Sequence, residues 1–141
     1  MHILLVEDNP ADARLVREAL AESDVGAELH WVSSGEEALS FLRRGKHYPN
    51  APVPDLVLLD LNLPGLRGQE VLIEIKQDPA LRRIPVVVLS SSSARRDVLD
   101  AYDAHANSYM VKPVYFDQFL VLVATIRGYW LSSVLLPTRV G

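Results

Sequence analysis

The sequence predicts an α/β fold in which helices cover both faces of a five-stranded parallel sheet. Strand-like and helix-like patterns alternate five times along the 141 residues, as expected for a chain that returns to one sheet through helical crossovers. Two of the strand-like runs, residues 56–59 and 86–89, are wholly apolar, which is typical of parallel strands buried on both faces. A chain of this length can form one domain with a sizeable core. Together these observations favour a doubly wound sheet.

The first part of the chain predicts two strand–helix pairs. Residues 3–6 are an aliphatic run that leads to Asn9 and Pro10, which suit the cap and the first position of a helix. Residues 27–32 alternate apolar and polar side chains, which predicts a strand at the edge of the sheet. Residues 34–37 have the spacing of a capping box and predict the start of the second helix. The apolar faces of these helices are formed by Leu15, Val16, Ala19 and Leu20, and by Ala38, Leu39 and Leu42.

The third strand–helix pair follows a loop. Residues 45–54 contain three prolines, which predicts an irregular connection. The buried strand that follows ends at Asp60. Val71, Leu72 and Ile75 then mark a third helix, which should stop before Asp78 because a proline follows that residue.

The last two pairs complete the alternation. Residues 85–90 predict a strand, and Ser92 or Ser93 is expected to cap the next helix. The inner face of that helix is expected to carry Val98, Leu99 and Tyr102. A short strand over residues 108–111 precedes Lys112 and Pro113, and the last helix is predicted over residues 115–130.

The composition narrows the classes of function. The formal net charge is −4, so no basic face is expected, and direct nucleic-acid binding is not expected either. The chain has no cysteine, which removes disulfides and cysteine zinc sites and fits a reducing compartment. The apolar runs 3–6 and 119–126 are too short for a signal peptide or a membrane span, so we expect a soluble, cytoplasmic protein with no membrane contact. The four histidines show no metal-ligand spacing, so we expect them at the surface or at the sheet edge. They are His2, His30, His47 and His105.

Four of the five predicted strands end in polar groups. Glu7 and Asp8 follow the first strand, Asp60 closes the third, Ser90 closes the fourth and Lys112 follows the fifth. In a parallel sheet these ends share one edge, where open α/β sheets bind ligands. Three carboxylates at short range are unfavourable unless positive charge neutralises them. Lys112 offers one charge, and a hard divalent cation such as Mg²⁺, which prefers oxygen ligands, is the expected second.

Each of these residues also has a plainer interpretation. Asp60 alone could be a turn residue that bonds its own backbone. The acidic pair at residues 7–8 could serve the helix start, and Lys112 could be an ordinary exposed lysine. Asp12 is expected only to lie near the positive end of the first helix dipole.

Taken in this order and separation, Glu7-Asp8, Asp60, Ser90 and Lys112-Pro113 resemble the receiver domain of two-component response regulators, over nearly the whole chain. The resemblance implies a flavodoxin-like sheet of strand order 2-1-3-4-5 with five helices. A narrower resemblance is to the single-domain regulators that pair with phytochrome-type histidine kinases. It rests on the stretches Val6–Pro10 and Asp60–Gly65, the proline-rich loop, and residues 129–137.

The resemblance implies a role for each site residue. Asp60 would accept a phosphoryl group from the histidine of a kinase, of the bacteriophytochrome type, in a Mg²⁺-dependent reaction. Lys112 would pair first with Asp60 and then with a phosphoryl oxygen, and the Lys112–Pro113 bond would be cis to aim the lysine. The implied protein ligands of Mg²⁺ are Asp8 directly, Glu7 through water, Asp60, and the backbone carbonyl of Asn62.

Two further residues would report phosphorylation. By the same resemblance, Ser90 would donate its hydroxyl to a phosphoryl oxygen and Tyr109 would swing inward into the vacated space. The surface formed by the fourth helix, fifth strand and fifth helix would then change. Ser92 and Asn62 occupy positions that influence hydrolysis of the acyl phosphate in this family. Phosphorylation would produce a change of conformation and release no product molecule. We therefore expect a phosphoacceptor signalling protein, which catalyses only its own phosphorylation and dephosphorylation, and not an enzyme.

Residues 129–141 are predicted to extend beyond a receiver domain of residues 1–128. The large apolar residues of this extension are Tyr129, Trp130, Leu131, Val134, Leu135 and Leu136. They could fold back on the chain's own core or form the contact of a homodimer. We expect the homodimer, because similar regulators use this end of the chain in that way.

Two other functions use parts of the same pattern. A Mg²⁺-dependent phosphatase or phosphotransferase similar to the haloacid dehalogenases also has an aspartate nucleophile at a strand end. Its general acid, a second aspartate two residues later, is replaced here by Asn62. A nucleotide binder would need a glycine-rich phosphate loop after the first strand, where this chain has Glu7 and Asp8.

Overall fold

The computed structural model describes residues 1–21 and 26–140. Within them, five strands form one parallel sheet in the order β2-β1-β3-β4-β5, which confirms the predicted class and strand order. The strands are β1 (His2–Val6), β2 (Glu28–Val32), β3 (Leu56–Leu59), β4 (Val86–Ser90) and β5 (Ser108–Val111). The helices are α1 (Pro10–Ala21), α2 (Gly35–Leu42), α3 (Gly68–Gln77), α4 (Arg95–Asp103) and α5 (Phe116–Ile126). No helix in this part of the chain is long and apolar enough to cross a membrane.

The sheet has a separate apolar layer on each face, because successive side chains of a strand point to opposite faces. Leu4 and Val6 lie in the layer that contains α2 and α3. Ile3 and Leu5 lie in the layer that contains α1 and α5. Every residue of β3 and β4 is buried, which explains why these strands are continuous apolar runs in the sequence.

Two predicted helix starts are confirmed by side-chain caps. The Oδ1 atom of Asn9 accepts a hydrogen bond from the Ala11 N–H at 2.9 Å, and the Ser34 hydroxyl accepts one from the Glu37 N–H at 3.2 Å. These bonds satisfy N–H groups that have no partner inside their own helix. The third helix ends before Asp78, as predicted.

The fourth helix differs from its prediction in both its cap and its inner face. Its N-cap is Ala94, because the hydroxyl of Ser92 instead bonds Asp97 and accepts from the Ala94 N–H. Ala101 is buried and the predicted Val98 is half-buried, whereas Leu99 and Tyr102 are 44% and 47% exposed. Successive residues of a helix are rotated by about 100°. When Ala101 faces the core, Leu99 and Tyr102 therefore point away from it.

The carboxyl-terminal residues pack against the sheet. A π-helical turn, Arg127–Leu131, continues α5, and a 3-10 turn follows at Pro137–Arg139. Trp130, Leu131 and Leu136 are buried in the layer that contains α1 and α5, whereas Tyr129 and Leu135 are exposed. Part of the extension therefore folds back on its own core, and the domain boundary at Gly128 stays a prediction.

A buried carboxylate fixes the end of this extension. The hydroxyl of Thr138 and the guanidinium of Arg139 both donate to Asp55, which also accepts from the backbone N–H of His2 at 2.6 Å. Burial alone would raise the pKa of Asp55, but these donors together hold it below its usual value. The carboxylate therefore joins the extension to the starts of β1 and β3.

Candidate functional site

The register of the sheet brings the polar strand ends together. Val6 of β1 lies opposite Leu59 of β3, so the residues that follow them, Glu7 and Asp60, emerge side by side. The Asp60 N–H donates to the Val6 carbonyl at 3.0 Å, and the Lys112 N–H donates to the Ser90 carbonyl at 2.8 Å. The predicted convergence of the strand ends is what the structure shows.

Lys112 lies at the centre of this group. Its Nζ atom contacts the Glu7 carboxylate, and it lies 3.0 Å from Asp12 Oδ2 and 3.1 Å from Asp60 Oδ2. Its side chain is 9% exposed, so these contacts are shielded from water and stronger than a surface ion pair. One ammonium group thus holds three carboxylates from two strand ends and one helix.

Asp60 uses its two oxygens for different purposes. Oδ1 accepts a hydrogen bond from the Asn62 N–H at 3.0 Å, which is an Asx turn. Oδ2 faces Lys112. Asp60 is therefore both a turn residue and a member of the polar group at the strand ends. The turn uses one carboxylate oxygen and fixes the direction of the other.

The charges of the group are not balanced within the protein. The pKa of Glu7 is raised to about 8, chiefly by burial and also by the neighbouring Asp60, although Lys112 opposes the rise. Burial would lower the pKa of Lys112, but the contacts with Glu7, Asp60 and Asp12 raise it above its usual value. The group therefore has an excess of negative charge that either a proton or an added cation can neutralise.

The carboxylates are close enough to hold a divalent cation. One oxygen from each of Glu7, Asp8 and Asp60 lies within 4.8 Å of the others. They line a pocket of about 260 Å³ together with Asn62 and Lys112, and Asp8 and Asn62 also border an adjoining cleft of about 820 Å³. Several carboxylates beside an open, water-accessible space suit a hard cation that keeps part of its hydration shell.

A glycine supports the turn that carries Asp60. Gly68, the first residue of α3, donates its N–H to the Leu61 carbonyl at 3.2 Å. A Cβ atom at this position would lie 2.1 Å from the backbone oxygen of Asp60 and 2.6 Å from the Cα of Leu61. Any larger residue would therefore displace the backbone that positions Asp60.

Two contacts of the site are not predicted by the sequence. The sequence indicates only a helix-dipole role for Asp12, yet the first turn of α1 places its carboxylate on Lys112. The indole N–H of Trp31, on the edge strand, donates to the Glu7 carbonyl at 2.7 Å. The short spacing between Glu7 and Asp12 could have suggested the first contact, whereas the second depends on the pairing of β1 with β2.

The two predicted switch residues lie on the neighbouring strands β4 and β5 and both contact Ser92. Ser90 is fully buried, and its hydroxyl oxygen accepts from the Ser92 N–H at 3.2 Å. Its neighbour Ser91 contributes to the pocket wall. Tyr109 is half-buried, and its hydroxyl donates to the Ser92 carbonyl at 2.8 Å. The segment around Ser92 thus connects the two residues.

The prediction of a cis bond before Pro113 is wrong, because the structure has this bond in the trans form. The trans form is also intrinsically favoured before proline, by about 0.5–1 kcal/mol. Lys112 reaches Asp12 and Asp60 from the trans bond, at 3.0 and 3.1 Å. The predicted contact between Lys112 and Asp60 is therefore present without the cis isomer.

The sequence and the structure were also compared with those of known proteins. Residues 3–124 match the response regulator receiver domain family. The chain is 47% identical over 135 residues to response regulator Rcp1 of Synechocystis sp., and the alignment covers 96% of this chain and 92% of Rcp1. The crystal structure of the Mn²⁺-bound form of Rcp1 matches with a TM-score of 0.94, covering 96% of this chain and 98% of that one.

Two further solved structures are similar over the same length. The phosphorylated cyanobacterial phytochrome response regulator RcpA is 51% identical, with a TM-score of 0.94 and coverage of 96% and 97% of the two chains. The bacteriophytochrome response regulator AtBRR is 40% identical, with a TM-score of 0.74 and coverage of 96% of each chain. The resemblance to phytochrome-associated regulators is confirmed. The chain therefore belongs to the response regulator receiver domain family.

Proposed function

We propose that this receiver domain accepts a phosphoryl group on Asp60 from the histidine of a kinase and changes conformation as a result. The observation that carries the proposal is the position of the Asp60 carboxylate, which contacts Lys112 and lies close to the acidic pair Glu7 and Asp8. In the transfer, a carboxylate oxygen of Asp60 forms a bond to phosphorus and the phosphorus–nitrogen bond of the phosphohistidine breaks. The electron pair of the broken bond stays on the imidazole nitrogen, which takes up a proton.

The surroundings of Asp60 suit this reaction. Phosphoryl transfer depends mainly on positioning and on neutralising charge at the equatorial phosphoryl oxygens. The hydrogen bond from the Asn62 N–H fixes the nucleophile, and Lys112 can move from carboxylate to phosphoryl oxygen over a short distance. The adjoining cleft of about 820 Å³ offers space for the donor.

A divalent cation completes the proposed site. Asp8, Asp60 and the backbone carbonyl of Asn62 would hold it, and Glu7 would act through water. When bound, the cation supplies positive charge to the transferring phosphoryl group. The Mn²⁺-bound form of Rcp1 supports a divalent cation in a relative, and we propose Mg²⁺ here because the protein donors are all hard oxygens.

The proposed conformational response involves Ser90 and Tyr109. A phosphoryl group on Asp60 adds acceptor oxygens, and the Ser90 hydroxyl would turn to donate to one of them. That movement would release the N–H of Ser92, the residue whose carbonyl accepts from Tyr109. The ring of Tyr109 and the surface around α4 and β5 would then shift together.

Asp60→Asn is expected to abolish phosphorylation. With Mg²⁺ and acetyl phosphate, the wild-type chain should gain the mass of one phosphoryl group in intact-mass spectrometry, and alkaline hydrolysis should remove it as expected for an acyl phosphate. The amide that replaces the carboxylate in the variant is not a nucleophile of this kind, so the variant should gain nothing. Asp103→Asn, on the exposed end of α4, is the matched control and should be phosphorylated normally. Phosphorylation of the Asp60→Asn variant, or none of the wild type, would refute the proposal.

An enzyme that acts on a separate phosphorylated substrate is less well supported. The position expected for a general acid is Asn62, whose amide cannot transfer a proton in that role. The Asn62 N–H is instead a hydrogen-bond donor to Asp60. We therefore propose that the chain catalyses only its own phosphorylation and dephosphorylation.

The proposed partner is a histidine kinase of the phytochrome type, acting in the cytoplasm. This choice is supported by the similarity to RcpA, a phytochrome response regulator, and to AtBRR, a bacteriophytochrome response regulator. Phosphotransfer from a panel of purified kinases would identify the partner, and a phytochrome-type kinase is expected to transfer fastest.

We also propose a homodimer that uses the exposed part of residues 129–141. Tyr129, Leu135 and Val140 are 55%, 73% and 65% exposed, so the extension presents apolar surface to solvent although its other apolar residues are buried or half-buried. A second copy of the same extension would cover these side chains.

Leu135→Ser is expected to weaken this dimer. The side chain is exposed, so the substitution should leave the fold intact while it removes apolar contact area. Light scattering should show the mass of two chains for the wild type and a concentration-dependent shift towards one chain for the variant. Val53→Ser, on an exposed apolar residue of the proline-rich loop, should not change the mass. A monomeric wild type, or an unchanged variant, would count against the extension as the contact.

A further inference from the structure

A second group of potential metal ligands lies on strands β1 and β2, away from the carboxylates around Asp60. His2 begins β1, and Glu28 and His30 belong to β2. His2 is opposite Glu28 in the parallel register, and His30 is opposite Leu4. The two histidines are 28 positions apart, so only strand pairing brings them together, and the sequence spacing does not reveal the group.

Two of the three distances between the donor atoms are close to those of a metal site. His2 Nδ1 lies 3.1 Å from His30 Nε2 and 3.4 Å from Glu28 Oε2, and the three donor atoms all lie within 4.8 Å of one another. With Zn–N distances of about 2.0–2.1 Å and Zn–O distances of about 2.0–2.2 Å, neighbouring donors of a tetrahedral zinc site lie roughly 3.3–3.5 Å apart. Small rotations of the side chains would therefore direct all three donors to one ion.

The group is held in place by its surroundings. The backbone N–H of His2 donates to the buried Asp55 at 2.6 Å, and its carbonyl accepts from the Asp55 N–H at 2.7 Å. The ring of His30 packs against that of Phe41, with centroids 5.3 Å apart. Two of the three ligands therefore start from positions that the fold fixes, which lowers the entropic cost of binding an ion.

The protonation of the group also suits a metal. Burial lowers the pKa of His30, and Glu28 opposes this effect only in part. The neutral imidazole, which is the form that can bind a metal, is therefore favoured. Glu28 adds a carboxylate, and with its side chain 66% exposed the site is open to ions from solution.

We propose that His2, Glu28 and His30 form a binding site for a divalent transition metal such as Zn²⁺, separate from the carboxylate site around Asp60. Two imidazoles and one carboxylate favour zinc and similar ions over Mg²⁺, which prefers oxygen donors. Water would occupy the remaining position. The bound ion would join β1 to the edge strand β2 and so reinforce the exposed side of the sheet.

The first test is a titration of the untagged, chelator-treated full chain with Zn²⁺ by calorimetry, in millimolar Mg²⁺ to occupy the carboxylate site. One equivalent of Zn²⁺ is expected to bind, and Co²⁺ should give the visible absorption bands of a tetrahedral complex. His30→Gln and His2→Gln should each weaken Zn²⁺ binding by about tenfold or more. His47→Gln, on an exposed loop residue, is the matched control and should bind as the wild type does.

A second comparison separates the two sites. Asp8→Asn alters the carboxylate site and should leave Zn²⁺ binding unchanged. Zn²⁺ should also raise the unfolding temperature of the wild type more than that of His30→Gln, because only the wild type would be joined across β1 and β2. Absence of a stoichiometric Zn²⁺ complex, or binding that Asp8→Asn removes and His30→Gln does not, would overturn the proposal.

Discussion

Lys112→Met is expected to reduce the rate of phosphorylation by acetyl phosphate by about 10²–10³-fold, the size of effect typical for loss of one preorganised donor to a developing charge. Methionine has a similar length and apolar stem, so the main change is the loss of the ammonium group. That group contacts Glu7, Asp12 and Asp60 in the structure. Without it, the incoming phosphoryl group would meet carboxylates that only the divalent cation neutralises.

The rate is measured by intact-mass spectrometry at several times after addition of acetyl phosphate and Mg²⁺. Lys76→Met is the matched control, because Lys76 is a half-buried lysine that, like Lys112, has several hydrogen-bond acceptors. Its Nζ atom donates to the carbonyls of Arg82 and Ile84, at 3.1 and 2.8 Å, and to Asn107. The control should lower stability without slowing phosphorylation. Equal rates for Lys112→Met and the wild type would show that the lysine has no part in the transfer.

Burial made the fold easy to predict from the sequence. A strand covered on both faces must be apolar at every position, and this requirement is visible in residues 56–59 and 86–89 without further information. The polar residues that follow such strands are equally visible. Because parallel strands end at one edge, Glu7, Asp60 and Lys112 could be expected to converge before the structure was known.

Contacts that depend on helix orientation or strand register were harder to predict. Asp12 reaches Lys112 because α1 starts just beyond the end of β1. The short spacing between Glu7 and Asp12 hints at this contact, but it fits a helix-dipole role equally well. The predicted inner face of α4 is wrong for Leu99 and Tyr102, because the small Ala101 is buried in their place. His2 and His30 meet only through the pairing of β1 with β2.

Leu136→Ala is expected to destabilise the chain by about 2–5 kcal/mol, the usual cost of truncating a fully buried leucine. The side chain is 1% exposed and lies in the apolar layer beside α1 and α5. The preceding leucine, Leu135, is 73% exposed. At a protein concentration too low for dimers to form, Leu135→Ala should change stability by no more than about 0.5 kcal/mol. Urea unfolding of the two variants measures both effects in one experiment.

The contrast between neighbouring leucines decides what the carboxyl-terminal residues do. If they belong to the core, the cost at Leu136 must far exceed that at Leu135, because only the former leaves a cavity. Similar small effects at both positions would mean that the extension does not pack as the structure shows. A chain ended at Gly128 cannot make this distinction, because it would also lose the buried side chains of Trp130 and Leu131, and unfolding could then be mistaken for a change in assembly. The exposed and buried faces of the extension therefore have to be altered separately, with Leu135 to test association and Leu136 to test the fold.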